Sequence, residues 1–248
     1  MRQLTDAIKI SHHSFDAVKS NAQMNGAWGD GSVIADVTNF EKKVIQTYDL
    51  TAQPKVTQRL LDDSEVDLEL WIANKVGEIF VNQENQAFIK GTGVNQPKGV
   101  MNDTSIQRVA TAANGVISVD DLMNLYYSLD DLYIRNAAFL MNRQTVHKIR
   151  TLKDNSGNYL WMPGLLSNQA DTLLGLELHT NQAIDSVESG KDAIVLGNFK
   201  QGYQIVDRGQ ISIQRDPYTM KPFVIFAVTK RTGGDVVNSS AFKIMNIA

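Results

Sequence analysis

The stretch KGTGVNQPKGVM, residues 90–101, sets three glycines and a proline between lysines. Glycines with a lysine nearby are the material of a phosphate-binding loop, in which backbone N–H groups point at an anion at the start of a helix. That chemistry needs a strand before the loop and a helix after it. Here a helical apolar period precedes the glycines. Their spacing, G-x-G-x5-G, is neither of the nucleotide-binding patterns. The loop therefore reads as a helix stop and a crossing between domains. Gly91 is expected just past the last turn in the left-handed region. Gln96-Pro97 imposes an extended step, and Gly93 and Gly99 allow further tight turns. No cofactor-binding residue is assigned.

Other reactive side chains are sparse. The histidines are His12, His13, His147 and His179, and none has the clustered spacing of a zinc site. His12 and His13 fall in an expected strand, so their rings point to opposite faces. His147 sits beside Lys148 and Arg150 on a solvated helix face. The pairs Asp62-Asp63, Asp120-Asp121 and Asp130-Asp131 suggest acid–base chemistry. The first two belong at helix starts, where the helix dipole accounts for them. Asp130-Asp131 falls late in a helix, and a solvated face explains it better than a metal does. No catalytic or metal-binding residue is assigned. Three positions are candidates for contact with another subunit: Trp28, Lys42 and Lys43. Trp28 sits at the glycine-rich tip of a polar segment that has no local core, and aromatics favour interfaces. The lysines suit either strand-edge protection or an acidic neighbour.

Composition narrows the classes further. The chain has 248 residues, 43% hydrophobic and 21% charged, with net charge −3. These are ordinary globular values, and the charge is not the basic footprint of a tight nucleic-acid binder. There are no cysteines, which excludes disulfides and thiol catalysis. No apolar run approaches the roughly 20 residues of a membrane span, and the first residues lack a signal-peptide core. A soluble protein of cytosolic origin is expected.

The elements that position these residues follow from periodicity. Residues 1–50 are polar, broken by Gly26, Gly29 and Gly31, and read as a two-stranded excursion. Such a hairpin is marginally stable alone and so suggests a partner surface. From Ser64, a good N-cap, two adjacent apolar stripes predict a broadly buried helix to about residue 88, with Trp71 in the core. Ser118 and Asp121 cap a second helix, whose face runs through Leu122, Leu125, Tyr126, Leu129, Leu132 and Tyr133. AAFLMN reads as a buried strand, residues 142–152 as a third helix, and 154–161 as a turn-rich loop. From Leu176 the texture is β: LELHTN, AIVLGNF, YQIVD, ISIQRD, FVIFAVTKR and AFKIMNIA. The order predicts an α+β fold rather than a regular βαβ winding.

The order of motifs also resembles a known family. P-K-V-T-Q-R-L-L-D-D-S, then a long helix, then G-T-G-V-N-Q-P-K-G is similar to the signature of major capsid proteins of tailed double-stranded-DNA bacteriophages. The later landmarks GNF, DR, RDP, RTGGDV and AFK occur in the family's order, and FLMNRQTVHKIRTLKDNSGNYLW matches loosely. Capsid proteins of gene-transfer agents fit about equally well. The resemblance covers nearly the whole chain. It implies the Hong Kong 97-like fold: an extended β loop, a long spine helix, and peripheral and axial domains. On that frame residues 1–50 are the extended loop arm and 51–114 the peripheral domain with its spine helix. Residues 115–203 are the axial domain, 204–237 the returning peripheral strands, and 238–248 a strand rejoining the axial domain.

The function implied is structural, not enzymatic: self-assembly through pentamers and hexamers into an icosahedral shell. The shell would enclose DNA without sequence-specific contact and form in the bacterial cytoplasm. The resemblance also brings portal, maturation protease and decoration proteins as partners, and no membrane. The chain begins almost at the loop, where relatives carry a preceding arm. KPFVIFAVTKR lacks the carboxylate that cross-linking relatives use, so no autocatalytic cross-link is expected. Two alternatives are an encapsulin-like compartment of the same fold and a soluble α+β enzyme using Asp130-Asp131 or His147.

Overall fold

A computed structural model describes residues 1–20, 40–64, 67–154, 156–161 and 172–248. In chain order the first elements are β1 (Ala7–Ile10), β2 (Ser14–Ser20), β3 (Phe40–Gln46), β4 (Tyr48–Ala52), β5 (Lys55–Thr57), α1 (Gln58–Asp63) and α2 (Leu68–Lys90). Then come β6 (Gln107–Ala110), α3 (Val119–Ser128), α4 (Asp131–Ile134), β7 (Ala138–Met141), α5 (Arg143–Arg150), β8 (Thr172–Leu173), β9 (Leu176–Thr180) and β10 (Asp192–Gly197). The chain ends with α6 (Phe199–Gly202), β11 (Tyr203–Asp216), β12 (Phe223–Val236) and β13 (Phe242–Asn246).

Two sheets carry the body. One runs β1-β11-β12-β4, with β5 also on β12. The other runs β6-β13-β10-β7-β9-β8, and β2 pairs with β3 as a separate ribbon. A continuous core lies between the sheets: Phe88 and Ile89 of α2 meet Leu140, Val195, Tyr203, Ile205, Phe242 and Ile244. The far face of the second sheet is covered by α3 and α5 through Leu122, Leu125, Val146 and Ile149. Sequence signals explain these placements. Ser118 Oγ accepts from Asp121 N at 3.1 Å while Asp121 Oδ2 accepts from Ser118 N at 2.9 Å, a reciprocal cap that starts α3. Asn142 caps α5 through Gln144 N at 3.0 Å. All four residues of β7 are buried, as the AFLM run demanded.

The spine helix α2 departs from expectation in three ways. Its N-cap is Asp67, whose Oδ1 accepts from Leu70 N at 3.1 Å, rather than Ser64. Ser64 instead closes the separate short helix α1, so Asp62 and Asp63 end a helix instead of starting one. The helix buries one stripe, Ile72, Val76, Phe80, Glu84 and Phe88, with Ile89 beside its end; Ile72, Val76 and Phe80 pack on Val224, Phe226 and Val228 of β12. Trp71, expected in the core, is 57% exposed, because the sheet reaches only one side of the helix.

Gly91 is extended at φ −61°, not left-handed; a side chain there would strike the carbonyls of Ala87 and Pro97, so close approach selects the glycine. The face predicted for one helix from Ser118 is divided between α3 and α4. Asp130 Oδ1 caps α4 by accepting from Leu132 N at 3.1 Å, which places Asp130-Asp131 at a helix start and leaves Leu132 exposed. The expected strands YQIVD and ISIQRD are one strand, β11, with a register shift between Arg208 and Ser212 where Gly209 takes φ +69°.

The N-terminal segment also divides. β1 pairs parallel with β11 and belongs to the first sheet. His12 and His13 lie in the bend that follows, not in a strand. Only β2 and β3 form the separate two-stranded ribbon. Gly233 lets its base cross the sheet, since a Cβ there would meet the Gln46 carbonyl.

Candidate assembly surface

The ribbon carries the lysines singled out in the sequence. Its two faces differ. Ala17 and Ile45 are buried and pack with Val206 of β11. On that same face the Lys43 ammonium donates to Asp235 Oδ1 at 2.9 Å and to the Val236 carbonyl at 2.6 Å, so its charge is engaged within the subunit. Lys42 points the other way and pairs with Asp16 at 2.8 Å in an exposed position. Beside it Val44 is 49% exposed. An exposed pair of this kind contributes little, about 0–1 kcal/mol. The outer ribbon face therefore has no strong partner in its own subunit. Trp28 lies outside the described residues.

The body beside the ribbon is tied together by a network that sequence reasoning did not find. The Arg2 guanidinium donates to Glu84 Oε2 at 2.6 Å and to both oxygens of Asp207 at 2.6 and 2.7 Å. Thr232 donates to Asp207 at 2.8 Å, and Lys230 pairs with the other oxygen of Glu84. The chain start, spine helix and both long strands thus meet at one cluster. Burial alone would raise the Asp207 carboxyl, but hydrogen bonds from Arg2 and Thr232 outweigh it and hold it below the usual range. The same contacts overcome burial at Arg2 and raise its guanidinium further. A signal existed: Glu84 falls on the apolar four-residue rhythm of 72, 76, 80 and 88, where an acidic residue needs a buried cation.

The outer surface of the first sheet and spine helix carries a second feature. Leu70, Trp71 and Val81 on α2, and Ile211 and Ile213 on β11, are all about half exposed. Exposed apolar side chains grouped in this way mark protein contact sites. The groups considered for catalysis are not brought together. Asp130 and Asp131 line a shallow recess with Ser128, Ser240 and Lys243, and His147 is elsewhere, exposed on α5. Among the described residues no group of three acidic or histidine side chains could hold a metal ion.

A profile of the phage capsid family matches residues 1–247. The chain belongs to the phage capsid family. Among solved structures it resembles the capsid of an empty GTA (gene transfer agent) particle computed with C5 symmetry. The two share 32% identity over 100% of this chain and 89% of that one, with a TM-score of 0.88. The capsid of the native GTA particle gives 32% identity over the same shares and a TM-score of 0.89. The holo-SrpI encapsulin complex from Synechococcus elongatus PCC 7942 is 16% identical, with 99% of this chain and 86% of that chain covered and a TM-score of 0.74; at that identity it shows the fold alone. No match was found among curated protein sequences. The fold is the Hong Kong 97-like capsid fold, and the protein is a major capsid shell protein.

Proposed function

We propose that this capsid protein assembles through pentamers and hexamers into a closed icosahedral shell around double-stranded DNA, with the β2–β3 ribbon lying across a neighbouring subunit. The observation that carries this reading is the match to two GTA capsids at 32% identity along the whole chain, both computed with C5 symmetry. The ribbon supports it from physics: a two-stranded element is marginal alone, and its outward face is unpartnered. Trp28, Lys42 and Lys43 are assigned to or near that contact, with Lys43 holding the ribbon base and Lys42 presenting charge. A net charge of −3 suits a container that encloses DNA without gripping it. The role is structural rather than catalytic, assembly takes place in the bacterial cytoplasm, and portal, maturation protease and decoration proteins are its further partners.

The two body sheets support a division into a peripheral domain (51–114 and 204–237) and an axial domain (115–203 and 238–248). On this division β6 crosses from the first to pair in the axial sheet.

The test is to replace residues 18–42 by Asn-Gly, closing the ribbon as a tight hairpin at the Ala17–Lys43 pair. The variant should remain folded by circular dichroism and fail to form particles in negative-stain micrographs. Normal particles would refute the role given to the ribbon. An encapsulin-like compartment, favoured only by the fold match, would yield particles with a protein absorbance spectrum after nuclease treatment instead of one dominated by nucleic acid.

A further inference from the structure

At one end of the second sheet, two recesses of opposite charge flank the short helix α4. The strands register there in a row: Gln107 of β6 beside Lys243 of β13, and Ala138 of β7 beside both Gly197 of β10 and Glu177 of β9. The first recess lies over the start of β6 and β13 and is lined by Tyr127, Asp130, Asp131, Gln107 and Lys243. The second lies over the start of β7 and β9 and is lined by Arg135, Asn136, Glu177, Phe199 and Lys200. From β13 to β9 the sheet crosses three strand spacings, about 14 Å in all.

Charge is sorted between the two. In the first, Asp130 and Asp131 outnumber Lys243, whose ammonium is held by Gln107. In the second, Arg135 and Lys200 outnumber Glu177, which lies 3.2 Å from His179 Nε2. Asp131 and Arg135 stand four residues apart, a spacing at which helical charges can pair. Among the described residues neither they nor Lys200 form an ion pair. The ridge between the recesses is fixed. Asp130 Oδ1 accepts from Leu132 N at 3.1 Å, the Tyr133 hydroxyl accepts from Asn238 Nδ2 at 2.9 Å, and Tyr133 and Ile134 pack on the core. On this fixed ridge Leu132 is 70% exposed, and Tyr127 in the first recess is 77% exposed. Large apolar side chains left this open mark a contact site.

We propose that the two recesses are the two halves of one contact between copies: the Asp130–Asp131 side of α4 in one subunit meets the Arg135–Lys200 side of α4 in the next, covering Leu132 and Tyr127. The inference rests on the reading of the protein as a shell subunit that assembles through pentamers and hexamers. Each recess carries the charge that the other needs, so a second copy of the chain supplies the partner. Placement sets the direction. The acidic recess sits at the β6 edge of the sheet and the basic one toward the opposite edge, beyond which only the two-residue β8 remains. Unlike surfaces on opposite edges serve two different neighbours, a head-to-tail contact of the kind that closes rings. Single exposed ion pairs contribute little. The gain lies in register and encounter, because like sides repel and unlike sides steer subunits into one orientation.

Charge reversal tests the contact. Asp131→Lys and Arg135→Glu each give both recesses the same sign. Each should cut particle yield in low salt at least tenfold while leaving the melting temperature of the unassembled subunit near that of wild type. Combined in one chain, the two changes should restore yield to within about threefold of wild type. Wild-type yield from either single variant, or a double variant no better than the singles, would overturn the contact. An equal mixture of the two single variants can match only in alternation, which closes rings of six but not of five. Open sheets or tubes are therefore expected, and closed shells would overturn the head-to-tail placement. Wild-type particles assembled from isotope-labelled and unlabelled subunits give a check that needs no variant. A zero-length carbodiimide should join Asp130 or Asp131 of one copy to Lys200 of another, read by mass spectrometry as a mixed-label peptide. Particles without that link would overturn the contact and leave the shell reading intact. Failure of wild-type subunits to form particles under any condition would remove the shell reading itself, and the contact with it.

Discussion

Replacing Arg2 by methionine tests whether the buried charge cluster holds the subunit together. Met keeps most of the aliphatic volume and removes the cation. The Glu84 side chain is 2% exposed, and its Oε2 would lose Arg2 while Lys230 keeps the other oxygen. Asp207 would lose both of its guanidinium bonds and retain only Thr232. Breaking a fully buried pair costs about 3–5 kcal/mol. Arg2 keeps 29% side-chain exposure, so water replaces part of the loss and the lower end applies, about 3 kcal/mol. For a chain of this length that corresponds to a fall of roughly 6–12 °C in melting temperature.

The loss should depend on pH. In the wild type the folded Asp207 carboxyl lies below its unfolded value, so its contribution is present above about pH 4 and disappears as pH falls through the folded value. Without Arg2 that depression shrinks, so the gap between wild type and variant should narrow as pH falls below about 4. Thermal melts of unassembled subunits at pH 7 and in acid measure both quantities. A fall under about 1 kcal/mol at pH 7, or a gap that stays constant into acid, would show that the cluster is decorative.

Two further substitutions separate folding from assembly. Trp71→Ala should change subunit stability by less than about 1 kcal/mol, because the residue is half exposed, yet lower particle yield at least tenfold if Trp71 is an interface anchor; light scattering during assembly reads the difference. Gly233→Val should do the opposite. Its side chain would strike the Gln46 carbonyl, displacing the base of the ribbon and costing about 2 kcal/mol or more, seen as a lowered melting temperature together with lost assembly.

Local signals in the sequence carried much of this structure. The Ser118–Asp121 pair, the Asn142 cap and the AFLM run each involve residues within a few positions of one another, and each element formed where its chemistry pointed. The ordered motifs carried the family. What escaped reading was set by distant partners. Arg2 and Asp207 are separated by 205 residues, so nothing near either announces the bond. Trp71 looked like core because its helix is rich in apolar residues, but a sheet reaches only one side of that helix. β1 and β2 looked like one strand because their residues are alike, but β1 pairs with β11 and β2 with β3, on either side of the bend at His12-His13. The candidate contacts Lys42 and Lys43 are adjacent in sequence and point to opposite ribbon faces, which alternation dictates but which only the packed face can sort into inward and outward.

The same alternation explains how one short ribbon can serve two ends. Its inner face, with Ala17, Ile45 and Lys43, is fixed to the subunit through a small apolar patch and one well-made ion pair. Among the side chains described on its outer face are Lys42, paired with Asp16, and the half-exposed Val44; contacts of that kind bind a lone partner weakly once the entropy of association is counted. Weakness of this order suits a shell. Each contact can open and re-form until the symmetry closes, and stability then comes from the number of copies engaged rather than from any single contact.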